Sequence, residues 1–266
     1  MTKHILTQKI EQALAHGRKA VIPYLPAGYP DKESFWRHIA DLDRAGADII
    51  EIGVPFSDPV ADGPVVEQAA LRCLEQGVSL QWILEKLLIR RPSIRAGIVL
   101  MGYMNPFLQF GLDRLSKTAA QVGVNGLIIA DLPLEESEDI RPLFKEQGVA
   151  LISLVGLNTP AQRLRLYARQ SEGFGGFGGF VYFVSVLGVT GERDALPAEL
   201  QKALRQAREI FSLPLALGFG LRSPAQLAGI SDAVDGVVMG SSLIRHLQET
   251  GKVGGFLDPW TLSQVG

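Results

Sequence analysis

The sequence predicts an α/β fold: a closed (β/α)8 TIM barrel in a single domain over residues 1–266, with an extra N-terminal helix ahead of the first strand. Three observations carry this expectation. Short apolar runs recur eight times along the chain, and a stretch of helical periodicity follows each of them. The strands are nearly continuous in apolar residues, which means burial on both faces. With 47% hydrophobic residues in 266 positions, the chain can bury a large core.

The elements follow in order. A helix over 5–15 comes first, with Ile5, Ile10 and Leu14 sharing the face that would cap the barrel floor. Strand one, 20–25, precedes a helix at 35–45. Strand two, 47–52, is followed by two helical stretches, 65–75 and 80–89. Strand three, 97–101, leads to a helix at 112–122, and strand four, 126–130, to one at 135–146. Strand five occupies 150–155, with a helix at 161–169. Strand six, 181–185, leads to 198–211, strand seven, 214–217, to 224–230, and strand eight, 236–239, to 242–249. Parallel neighbours need crossovers of this kind. An open doubly wound sheet would place a Gly-x-Gly-x-x-Gly turn after strand one, and Leu25-Pro26-Ala27-Gly28-Tyr29-Pro30 is not one.

Composition narrows the function. A net charge of -2 with scattered basic residues argues against nucleic acid or a polybasic membrane contact. Cys73 is the sole cysteine, so no intrachain disulfide or multi-cysteine metal site can form, and its helical context suggests a buried thiol. The N-terminus lacks a secretion signal, and a cytoplasmic location is expected. The uncharged stretch 173–191 is rich in glycine, and reads as a loop feeding a buried strand and a turn rather than a membrane span.

The chemistry concentrates in residues 51–64, EIGVPFSDPVADGP. Glu51 ends an apolar strand, where a carboxylate is costly unless paired, solvated or used, and Asp58 and Asp62 lie in the following connection. Aspartates in such Pro/Gly-rich loops also make local turn hydrogen bonds. Three glycine-containing turns, 188–191, 218–220 and 240–242, follow the last three strands on one barrel face, and together suggest a phosphate held by backbone N–H groups and hydroxyls such as Ser241. Tyr24, Met101, Tyr103, Ile128, Leu154, Tyr182 and Phe219 sit at strand ends and could enclose a flat apolar group. None of the nine lysines falls at the C-terminal end of a strand, which argues against a Schiff-base aldolase, and the four histidines form no ligand set, so no metal is expected.

The run from Glu51 to Pro59, continued by Ala61-Asp62-Gly63-Pro64, resembles the signature of the tryptophan synthase alpha subunit family, and the likeness extends from Ile22-Pro23-Tyr24 to Gly240-Ser241. The resemblance implies cleavage of indole-3-glycerol phosphate to indole and glyceraldehyde 3-phosphate. Glu51 would be the acid-base group, Asp62 would hold the indole N–H, Tyr182 would position the substrate, and Gly191, Gly220, Gly240 and Ser241 would contact phosphate. Thr190 would belong to a mobile loop. It also implies a pyridoxal-phosphate-dependent beta subunit in an alpha2beta2 complex, met by Pro55, Asp58, Asn105 and Pro133, and no cofactor in this chain. The Gly-Phe-rich segment 175–180 departs from the family text, and is expected to enter strand six from the barrel floor, away from the site.

Overall fold

The nine strands described are β1 (Ala20–Pro26), β2 (Ile49–Gly53), β3 (Gly97–Gly102), β4 (Gly126–Ile129), β5 (Ala150–Leu151), β6 (Ser153–Gly156), β7 (Val181–Val184), β8 (Leu215–Gly218) and β9 (Gly236–Met239). They come from a computed structural model that describes residues 3–173, 178–185, 197–218, 221, 223–228 and 230–261. All pair in parallel in the order β5-β4-β3-β2-β1-β9-β8-β7-β6. The two edges of this order are separated only by Ile152, so the sheet curls into a barrel.

That junction departs from the single strand expected over 150–155. β5 pairs with β4 and β6 pairs with β7, so the chain changes neighbours at Ile152, whose N–H still donates to the Leu127 carbonyl at 2.9 Å. Arg141 braces the break. Its Nη1 donates to the Leu151 carbonyl (2.9 Å), and its Nε and Nη2 donate to the hydroxyls of Ser137 (3.1 Å) and Ser153 (3.0 Å). Burial pushes this guanidinium down to about 10.

The helices are α1 (Ile5–Ala15), α2 (Lys32–Arg44), α3 (Pro64–Glu75), α4 (Leu80–Arg90), α5 (Met104–Phe110), α6 (Leu112–Gln121), α7 (Arg141–Glu146), α8 (Ala161–Gly173), α9 (Ala198–Ile210), α10 (Ser241–Thr250) and α11 (Asp258–Thr261). α1 does cap the floor, but with a different face from the expected one. Leu6, Ile10 and Ala13, at spacings of four and three, are buried while Ile5 is exposed and Leu14 only half-buried. Leu6 plugs the bottom of the barrel: a Cβ on Gly97 would lie 2.7 Å from its Cδ2, and one on Gly126 2.9 Å from its Cδ1. α2 begins earlier than expected because the Asp31 carboxylate accepts from the N–H groups of Glu33 and Ser34.

α5 was not anticipated. The helix expected over 135–146 is a 3-10 turn, Glu135–Ser137, followed by α7, because Pro142 fits only the first turn of a helix and would break one entering from residue 135. The stretch expected as helix at 224–230 is a 3-10 turn, Pro224–Leu227. Gly178, Gly179 and Phe180 lie at the floor, where Thr7 Oγ1 donates to the Gly179 carbonyl at 2.5 Å and Phe180 is fully buried. Residues 175–177 fall outside the described residues. No helix among the described residues is long and apolar enough to cross a membrane.

A device repeated three times sets the strand starts. The residue just before one strand both donates its N–H to, and accepts through its side chain near, the beginning of a neighbouring strand. Asp48 bonds Val21 this way, Asn125 bonds Ile98 and Asp235 bonds Leu215. Arginines hold the two acids: Arg18 on Asp48 at 2.6 and 2.9 Å, and Arg208 on Asp235 at 2.6 Å. Asp48→Ala should therefore cost about 2–4 kcal/mol, since it leaves the Val21 N–H and a partly buried guanidinium without their acceptor. Urea unfolding checks this; a loss below about 0.5 kcal/mol, the level of an ordinary surface change, would contradict it.

Candidate active site

The lumenal face follows from the register. Gly97 and Gly126 touch the plug residue Leu6, and successive side chains on a strand alternate between faces. Paired residues of parallel strands share a face. Ile49, Glu51 and Gly53 of β2 therefore point inward, as do Val99 and Met101 of β3, Ile128 of β4, and Ile22 and Tyr24 of β1. On the other half Leu154, Tyr182, Ala216 and Gly218 do the same. Six residues named from the sequence, Tyr24, Glu51, Met101, Ile128, Leu154 and Tyr182, thus converge on one lumen.

Within it they differ in depth. Ile128 is wholly buried beside Met101, its register partner, whereas Met101, Leu154 and Tyr182 keep part-exposed surfaces. The aromatic rings use space that glycines leave. A Cβ on Gly53 would lie 2.7 Å from Tyr24 Cζ, and one on Gly218 2.6 Å from Tyr182 Cζ. Gly240, named for phosphate, also abuts the Tyr24 ring, at 3.0 Å from Cδ1.

Glu51 is the anomaly of this wall. It is 0% exposed, and neither carboxyl oxygen has a hydrogen-bond partner among the described residues. Desolvation first, and the nearby Asp62 charge second, raise it from 4.5 to about 8, so the carboxyl is protonated at neutral pH. Asp62 lies half-buried in the loop after β2. Burial raises it too, opposed by a hydrogen bond from the Tyr103 hydroxyl. Tyr103, just past β3, holds that loop by accepting from the Ala61 N–H at 3.0 Å, and its ring lies 5.3 Å from Phe56. Burial, then the two carboxylates, push the Tyr182 phenol well up. Buried Cys73 is pushed up to about 12 by desolvation.

On the same rim, beyond β1, α10 starts directly after β9, with Ser241 as its first residue and Gly240 as its cap. Two hydroxyls, Ser185 just past β7 and Ser242 within the 240–242 turn already marked for phosphate, are buried without a partner among the described residues. Ser185 was not named from the sequence, and only its position at a strand end could have flagged it. Thr190, Gly191, Phe219 and Gly220 lie outside the described residues. Asp58, Asn105 and Pro133 are exposed, whereas Pro55 is buried in its own loop. No group of three or more potential metal ligands occurs among the described residues.

The fold and this lumen define an α/β-barrel enzyme class whose site opens at the carboxyl ends of the strands. The family described as tryptophan synthase alpha chain matches residues 10–254. The chain is 55% identical over 260 residues to the tryptophan synthase alpha chain of Solidesulfovibrio magneticus, covering 98% of this chain and 99% of that one. It is 41% identical to that of Bacillus mycoides, covering 91% of each. Among solved structures, the alpha chain of Legionella pneumophila superposes with a TM-score of 0.84 at 29% identity, covering 98% and 97% of the two chains. The tryptophan synthase complex of Pyrococcus furiosus gives 0.81 at 30% identity, with 92% and 98% covered. The chain belongs to the tryptophan synthase alpha chain family.

The buried carboxyl makes stability depend on pH with a definite sign. Its folded value lies above 4.5, so the folded protein binds the extra proton, and stability present below about pH 4.5 is lost as pH rises toward about 8. Glu51→Gln removes the titrating group. The unfolding free energy of Glu51→Gln minus that of the wild type, measured by urea unfolding, should grow from pH 5 to pH 8 and then level off, the growth being at most about 5 kcal/mol. A difference that stays constant with pH would show that Glu51 is not held neutral.

Proposed function

We propose that Glu51 and Asp62 carry the acid-base chemistry of the lyase reaction of this family, cleavage of indole-3-glycerol phosphate to indole and glyceraldehyde 3-phosphate in tryptophan biosynthesis. The observation behind it is a neutral carboxyl at Glu51, without a hydrogen-bond partner among the described residues and facing an apolar lumen beside a second carboxyl. An acid poised near the working pH is what proton transfer to carbon requires.

The protonated Glu51 gives its proton to the ring carbon that bears the side chain, which leaves the indole ring cationic. Asp62 accepts a hydrogen bond from the indole N–H and stabilises that charge. The bond between the ring and the side chain then breaks, and its electron pair flows back into the ring. The side-chain hydroxyl on the departing carbon becomes the aldehyde as its proton passes to the Glu51 carboxylate, which restores the starting state. Tyr24, Met101, Ile128, Leu154, Tyr182 and Phe219 enclose the indole, and Tyr103 braces the Asp62 loop. Gly191, Gly220, Gly240 and Ser241 hold the phosphate, with the start of α10 supplying N–H groups and Thr190 belonging to the loop that closes over it.

The chain works as one domain in the cytoplasm and needs no cofactor of its own; pyridoxal phosphate belongs to a beta subunit, to which indole passes within an alpha2beta2 complex. Asp58, Asn105 and Pro133 face that partner, with Pro55 shaping the loop. Val60, 84% exposed, and Leu108, 55% exposed, follow β2 and β3 and add apolar area to the same end of the barrel.

Release of glyceraldehyde 3-phosphate, measured with and without a beta subunit, tests the assignment. Glu51→Gln should lose at least about a hundredfold in turnover with little change in substrate binding. Asp62→Asn should also lower turnover while phosphate affinity survives. Near-wild-type turnover of Glu51→Gln at saturating substrate would remove it from the mechanism.

A further inference from the structure

Tyr24 and Glu51 are register partners on β1 and β2 and share the lumenal face. From that face the tyrosine ring reaches sideways to two neighbouring glycines. One edge lies against Gly240, where a Cβ would come within 3.0 Å of Cδ1, and the far end lies over Gly53, where a Cβ would meet the hydroxyl oxygen first, then Cζ at 2.7 Å and Cε2 at 2.8 Å. The ring therefore lies along the wall from the start of α10 to the end of β2. Residue 53 is the next lumenal position after Glu51 toward the mouth, since side chains two apart on a strand share a face. A ring that fills the space above Gly53 lies between the Glu51 carboxyl and the open end of the barrel.

We propose that Tyr24 is a positioning residue for the acid-base step: its ring roofs Glu51 and keeps water off the carboxyl, and Gly53 and Gly240 are glycines because the ring occupies the places of their side chains. This rests on the acid-base reading of Glu51 given above. The ionisable groups around Glu51 are Asp62 from the β2–α3 loop, Tyr103 past β3, Tyr182 from β7 and Tyr24 itself, behind which Cys73 of α3 lies. Of these, only Asp62 acts on Glu51 as a charge, and its effect is smaller than that of desolvation. Exclusion of water thus dominates, and the ring carbons Cζ and Cε2, which lie over Gly53 together with the hydroxyl, supply it without the hydroxyl. The hydroxyl makes no hydrogen bond to Glu51, whose oxygens are partnerless among the described residues.

The test titrates the Glu51 carboxyl in the resting, full-length protein by carbon-13 NMR, with the resonance assigned by its loss in Glu51→Gln. Tyr24→Phe keeps the ring and should titrate like the wild type. Tyr24→Ala opens the roof, and should lower the midpoint by about one unit or more, a tenfold or greater rise in the proton dissociation constant. Gly53→Ala displaces the ring by a different route and should shift it in the same direction; it carries the test should Tyr24→Ala not fold. A wild-type midpoint in the folded variant that lacks the roof overturns the proposal, as does a large shift in Tyr24→Phe. Failure of the lyase reading would show instead as turnover retained in Glu51→Gln, and would leave the titration result standing.

Discussion

Holding the Glu51 carboxyl away from water, without a hydrogen-bond partner among the described residues, is the constraint around which the mouth of this barrel is arranged. Burying an ionised carboxylate in such a place is expensive, and the group responds by keeping its proton. Only an apolar wall closed on all sides can do this, which is why Glu51 is flanked by β1 and β3 residues rather than placed in a loop. Asp62, on the connection beyond, retains partial access to solvent and a hydrogen bond from Tyr103. Two carboxyls from one strand-loop unit are thereby given different environments, and the proposed reading uses the first to donate a proton and the second to bear charge.

The rest of the barrel keeps that wall closed. At the floor, Leu6 fills the end of the lumen, and the small residues Gly97 and Gly126 admit it. Asp48, Asn125 and Asp235 fix where strands begin relative to their neighbours, so the register that brings Tyr24 beside Glu51 is set some distance from the site. The weak seam is Ile152, where the fifth predicted strand changes partners and Arg141 supplies donors to the Leu151 carbonyl and to Ser153. A slip of one residue in any of these strands would turn the lumenal set outward.

Much of this was legible in the sequence because the signals are local. Apolar runs marked eight strand positions, and a carboxylate closing one of them marked Glu51. Alternation along each strand is what lets Tyr24, Met101, Ile128, Leu154 and Tyr182 meet it. What was missed depends on contacts between distant positions. Gly53 and Gly218 look like turn glycines, but their lack of a side chain serves tyrosines on neighbouring strands. The face of α1 was misjudged because Ile5 and Leu6 are equally apolar, and only the floor glycines decide which one plugs the barrel. The break at Ile152 leaves no mark in an apolar run, because closure is a property of the whole sheet. Asp48, Asn125 and Asp235, directly ahead of β2, β4 and β9, did carry a readable sign, a polar residue beside an apolar run.

The most direct test of a proton-donating Glu51 is the pH dependence of kcat/KM for indole-3-glycerol phosphate cleavage, which reports ionisations of the free enzyme. A carboxyl that must start protonated, with its value raised to about 8, predicts a plateau through neutral pH and a fall above about pH 8. A decline that begins in the ordinary carboxylate range near pH 4.5, or a rate that rises through pH 8, would contradict it.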